Sequence, residues 1–202
     1  PRAWGPAFLW FGGYGFNAGS ELGVDSLTTS AFPNTDIAAA FAGITWLLVE
    51  GMSAGKPKFV GLLTGSVAGL ATITPAAGFV SPAAAALIGI LAGIICYYAV
   101  ALKNKLGWDD ALDVWGVHGV GGFIGILFLG LFAAKAWNPA GADGLLLGGV
   151  GFFGKQCAAV AISSVWAFTF TWGLVWLLTK INPWRGDSAQ ETTARTEVLT
   201  GA

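Results

Sequence analysis

Apolar positions fall along this chain in six long runs separated by short polar segments. The runs cover about residues 4–22, 33–52, 59–74, 82–102, 111–134 and 150–178. A helix rises about 1.5 Å per residue and the hydrocarbon core of a bilayer is about 30 Å thick, so runs of this kind predict six membrane-spanning helices. The segments between them, SAGKPK, TPAAGFVSP, KNKLGWDD and KAWNPAGADG, concentrate the Gly, Pro and charged residues that stop helices. Pro33 and Asn34 are expected to open the second helix, and Pro82 suits the first turn of the fourth, where a missing N–H costs nothing. Residues 182–202 are polar without apolar periodicity, which predicts a disordered tail after a membrane domain over 1–181.

Composition sharpens this to an all-α, polytopic membrane protein. Hydrophobic residues make up 55% and charged residues 10%, against about 25% charged in soluble domains. A net charge of −1 offers nothing to nucleic acid. Cys96 and Cys157 lie in separate apolar runs without a CxxC or Cys/His grouping, so neither a disulfide nor a metal site is expected, and no cofactor is implied. If the fifth helix runs outward, Arg2, Lys56, Lys58, Lys103, Lys105, Lys180, Arg185 and Arg195 fall on one side, against Lys135 and Lys155 on the other. Positive charge stays inside, which predicts a multi-pass protein of the plasma membrane with a cytoplasmic C-terminus. The chain opens on Pro-Arg-Ala-Trp and enters an apolar run almost at once, so it is read as a piece of a longer protein.

Glycine spacing describes how these helices meet. Gly15/Gly19, Gly61/Gly65/Gly69, Gly89/Gly93 and Gly121/Gly125 repeat every four residues, the pattern that forms grooves for close helix approach.

Candidate chemistry centres on DDALDVWGVHGVGGFIG, residues 109–125, which holds His118, the only histidine of the chain. With a helix beginning near Asp109, His118 lies about 13 Å along the axis, deep in an apolar segment. An ionisable group there marks a pathway or binding site, although a lone histidine can also be glue between helices. On a regular helix Val114, Trp115, Gly121, Gly122 and Gly125 share its face. Asp109, Asp110 and Asp113 are assigned to structure, capping N–H groups at the helix start. Asp36 and Glu50 fall at the ends of the second run and need no role. On the first helix Phe16 and Ser20 share a face with Gly12 and Gly13, a ring and a hydroxyl that together suit a small cation.

GFNAGS (15–20), ITPAAGFV (73–80), LGWDDALDVWGVHGVGG (106–122) and the pattern of AFPNTDIAAA and WLLVEG resemble the ammonium transporter family, whose relatives include the Rhesus proteins. The match covers roughly residues 10–180. The resemblance implies eleven helices in two five-helix inverted repeats plus a last helix, this chain being the second repeat and that last helix. It implies a homotrimer with one pore per subunit. His118 then corresponds to the second of two pore histidines, Phe16 to one of two stacked phenylalanines closing the outer end, and Ser20 to the hydroxyl of the outer recruitment site. Leu9 and Val114 correspond to apolar pore-lining positions. The implied function is passage of ammonium, or methylammonium, by recruiting the ion, deprotonating it and conducting ammonia. A PII-type regulator is also implied, but its tail motif is not recognisable in 182–202. Gly13 stands where the family often has tryptophan, and Pro33 and Asp36 where it has an aliphatic residue and asparagine.

Two other classes compete. An ammonium sensor of the same fold needs a signalling domain after the last helix, which 182–202 does not resemble. An intramembrane enzyme using His118 as a base needs a nucleophile or metal partner at helical spacing, and none is present; a non-enzymatic transporter is expected.

Overall fold

The computed structural model describes residues 3–181. The expected tail at 182–202, with Arg185 and Arg195, and also Arg2, lies outside the described residues. Six α-helices are present among them: α1 (Trp4–Asn17), α2 (Ser26–Ala54), α3 (Phe59–Ile73), α4 (Pro82–Leu106), α5 (Val120–Phe132) and α6 (Val150–Ile181). A π-helical turn, Trp115–Gly119, leads into α5. Four segments are long and apolar enough to cross a membrane: α2, α4, the π-turn with α5, and α6; α3 is apolar but shorter. The chain is a membrane protein of the all-α class.

Several helix ends differ from the apolar run boundaries, and each difference moves a residue. Asp25 caps α2 by accepting from the N–H groups of Leu27 and Thr28, so α2 begins at Ser26 rather than Pro33. Pro33 is inside the helix, where membrane segments tolerate the missing N–H because hydroxyls and neighbouring helices satisfy the freed carbonyls. Asp36 is thereby carried well into the span instead of lying at its edge, and its Oδ1 accepts from Trp10 Nε1 at 3.0 Å and Tyr14 Oη at 2.6 Å. Glu50 stays near the helix end, where it accepts from the Lys58 N–H at the start of α3. α1 stops at Asn17, and a short 3-10 turn, Gly19–Glu21, replaces the helix expected to continue to Leu22. α4 starts at Pro82 behind a Ser81 cap, as its proline predicts, and ends at Gly107 in the left-handed region.

The units divide after Val160. In the first, α2 is the axis against which α3 and α4 pack. A Cβ added at Gly69 of α3 or at Gly89 of α4 would meet the Ala38 carbonyl oxygen of α2 at 2.5 Å, so α2 is gripped at one level from both sides. Only residues without a side chain allow that approach. Gly15 and Gly19 differ: nothing lies within 4 Å of a Cβ there, so the spacing on α1 builds no groove in this structure. Above the grip, Ile73, Val80 and Ile88 form a fully buried core. Asn34 closes it by donating to the carbonyls of Ala77 and Val80 at 2.8 and 2.9 Å. The second unit contains the remainder of α6, a helix exposed along its length except at Gly173.

Candidate functional site

His118 is placed by a helix that starts late. Asp113 has φ 56°, in the left-handed region, and its carbonyl accepts the first bond of the new helix from Val117 N–H. The helix therefore does not begin near Asp109, and the imidazole lies only four residues into the Trp115–Phe132 span. Its level is set by its neighbours instead. His118 lies beside Leu9 and Val67, near the middles of α1 and α3.

The π-turn also rotates the rest of the span. Gly121 and Gly125 are buried against α3, next to Thr72, and not on the imidazole's face. A wider turn of one extra residue shifts the register of every later side chain. His118 itself is exposed, as are Val114 and Trp115, and its ring makes no hydrogen bond to a described residue. Among the described residues the ring therefore forms no hydrogen-bonded bridge between helices.

Each acid before the turn has a different fate. Asp110 is the cap: its Oδ1 accepts from Val114 N–H and its Oδ2 from Trp115 N–H, both at 2.9 Å. Desolvation raises the Asp110 carboxyl, but those two N–H groups and the charge of Lys103 outweigh it and hold it below its ordinary value. Asp113 pairs with Lys103 at 2.7 Å instead of capping. Asp109 is exposed and has no partner among the described residues.

Three adjoining cavities run from the end of α1, where α2 and the loop after α3 flank it, to the face between α1, α3 and the π-turn. One, about 390 Å³, is the most polar of the three and is lined by Ser20, Glu21, Asn17, Asn138, Phe16 and Thr74 among others. It shares Phe16 and Thr74 with a second of about 320 Å³, where Leu9, Gly12, Val67 and His118 also lie. That in turn shares Leu9, Val67 and His118 with a third of about 320 Å³, continued by Pro6, Val60 and Val114. Ser20, Phe16, Leu9, His118 and Val114 thus lie in order along one open trough. Its polarity falls from a mouth with a carboxylate and amides to walls of aliphatic side chains. Phe16 is 67% exposed. The Ser20 hydroxyl donates back to the Phe16 carbonyl, so its oxygen is left to accept. Among the described residues no three His, Cys, Asp or Glu side chains group as metal ligands.

Sequence reasoning passed over Asn17, Thr74 and Lys103. The first two stand inside GFNAGS and ITPAAGFV, and their spacing from Ser20 and Pro75 carried no hint of a common cavity. Lys103 reads as one more charge in a polar loop; nothing in KNKLGWDD marks it as buried.

A family model described as the Ammonium Transporter Family matches residues 3–197. An ammonium transporter of Bacillus subtilis is 44% identical over 189 residues, covering 93% of this chain and 47% of that protein. The crystal structure of Candida albicans Mep2 superposes with a TM-score of 0.85 at 40% identity, over 93% of this chain and 43% of that one. A structure titled Sensor Amt Protein superposes at 0.84 with 32% identity, over 94% and 46%. The chain thus spans about half the length of the relatives it matches.

Proposed function

Because the chain belongs to the ammonium transporter family, we propose that the protein it comes from carries ammonium and methylammonium across a membrane along the Ser20-to-Val114 trough. The observation that supports this reading is the order of residues along that trough, from its most polar end to an aliphatic wall interrupted by one imidazole.

At the mouth the Ser20 oxygen accepts an N–H of the ion, and the exposed Phe16 ring attracts its charge through the π face. The potassium ion itself has the same charge but no hydrogen to donate and no proton to lose. Past Phe16 the aliphatic walls oppose an intact ion, since an unpaired charge in an apolar environment is costly. Ammonium that passes its proton to water at the mouth continues as neutral ammonia. The free nitrogens of His118 offer it a hydrogen bond at the level where Leu9 and Val67 offer none. The trough is open on one side, and the missing wall is supplied by the part of the protein outside this chain, the first repeat. The assembly is a homotrimer in the plasma membrane, with its C-terminal end on the cytoplasmic side.

A second reading, an ammonium sensor of the same fold, draws on the similarity to the protein titled as a sensor. Proteoliposomes carrying the intact parent protein separate the two. Uptake of methylammonium with rejection of potassium is expected. Binding without flux favours the sensor, and equal uptake of both ions overturns the proposal. This chain alone is expected to carry nothing until the complementary helices are co-expressed.

A further inference from the structure

Lys103 is 4% exposed at the end of α4, an unusual place for an ammonium group. A buried lysine must find partners, and this one finds them across the turn that precedes His118. Its Nζ lies 2.7 Å from Asp113 Oδ1 and donates to the Asp110 carbonyl at 2.6 Å. Both partners belong to the helix start. Asp110 caps Val114 and Trp115, and Asp113 accepts from Val117, the residue before His118. One turn back on α4, Val100 abuts Gly116 so closely that a Cβ there would meet Val100 Cγ2 at 2.6 Å. The π-turn is therefore clamped on one side by α4, and Lys103 is the charged part of the clamp.

We propose that Lys103 is a positioning residue for the trough: its buried contacts to Asp113 and Asp110 fix the π-turn and hence the direction in which His118 enters. The chain of contacts is short. Releasing Asp113 frees a residue held in the left-handed region, and the π-turn is free to relax to ordinary α geometry. An α turn in its place rotates the imidazole away from Leu9 and Val67, while Gly121 and Gly125 keep α5 locked on α3. His118 is moved without being touched. The inference rests on the reading of His118 as a group that meets the substrate.

The test separates positioning from stability in the intact parent protein. Asp113→Asn alone leaves a buried lysine unpaired and lowers thermal stability, whereas Lys103→Met with Asp113→Asn removes both charges and recovers it, because the unpaired charge is the costly state. Asparagine keeps the left-handed conformation accessible. In the double variant we expect methylammonium uptake per folded molecule to remain depressed by about 10- to 100-fold, the scale on which a misplacement of roughly 1 Å acts in an oriented site. A readout independent of transport is the rate at which diethyl pyrocarbonate modifies His118, followed on its peptide by mass spectrometry. That rate is expected to change several-fold. If uptake per folded molecule and modification rate both return to wild-type values with stability, Lys103 only stabilises the fold and the proposal is overturned. If the wild-type parent carries no methylammonium, the transport reading fails, and the modification rate still decides whether Lys103 positions the imidazole.

Discussion

Three glycines on one helix give a graded test of the packing that fixes the trough. A Cβ at Gly122 meets nothing within 4 Å. At Gly121 it would lie 3.0 Å from the Thr72 hydroxyl and 3.5 Å from Cys96 Sγ, both side-chain atoms able to give slightly. At Gly125 it would overlap the Thr72 carbonyl oxygen well inside 3.0 Å, with Thr72 C at 3.1 Å and Pro75 Cγ at 3.2 Å. That oxygen belongs to the backbone at the end of α3 and cannot swing aside. Ordinary contact begins at 3.4 Å, so α5 and α3 must part by roughly 1 Å, and overpacking of this kind costs about 1–3 kcal/mol or more. Alanine returns up to about 1 kcal/mol through helix propensity at every one of the three sites. Gly122→Ala should therefore be neutral or slightly stabilising, Gly121→Ala should be close to neutral, and Gly125→Ala should lose about 2 kcal/mol or more. Thermal unfolding of the intact parent protein in detergent, followed by size-exclusion recovery, ranks the three. Equal recovery of Gly125→Ala and Gly122→Ala would refute the close approach at Thr72.

Other substitutions probe the histidine, the buried asparagine and the cap. His118→Ala removes an exposed ring without a hydrogen bond to a described residue, so stability should stay within about 0.5 kcal/mol while the rate or ion selectivity of methylammonium uptake changes. Asn34→Ala strands two buried carbonyls, Ala77 and Val80, and should cost about 2–4 kcal/mol in the same unfolding assay. Asp110→Ala removes both cap bonds and should cost about 1–2 kcal/mol at neutral pH. Because the Asp110 carboxyl is lowered in the folded protein, its contribution is complete above the unfolded value of about 4 and is lost as pH falls through the folded one. The gap between wild type and Asp110→Ala should therefore close on acidification. A gap that widens in acid contradicts the cap.

Apolar run length and turn chemistry settle the number of helices and several of their ends here. Pro82 after Ser81, and the glycines of α3 and α4 against Ala38, behave as local rules require, because each depends on a few neighbours in sequence or on one facing helix. Of the five trough residues, Phe16, Ser20 and His118 stood out by residue type, whereas Leu9 and Val114 came as lining positions only through the family resemblance. The features that escaped have a common physical origin. Pro33 reads as a helix start only while the Asp25 cap upstream of it goes unseen. Asp36 looks like an edge residue until that cap places it inside the span beside Trp10 and Tyr14. The regular-helix face of His118 failed because a π-turn is not written in a 3.6-residue period; it arises where Asp113 turns left-handed and α4 presses on Gly116. The partnership of Lys103 with Asp113 crosses a chain reversal that no spacing rule specifies. The chain determined by itself which segments are helices and which side chains are candidates for chemistry. Only tertiary packing decided which way His118 faces and what holds it there, since both depend on contacts between helices that periodicity along one helix cannot encode.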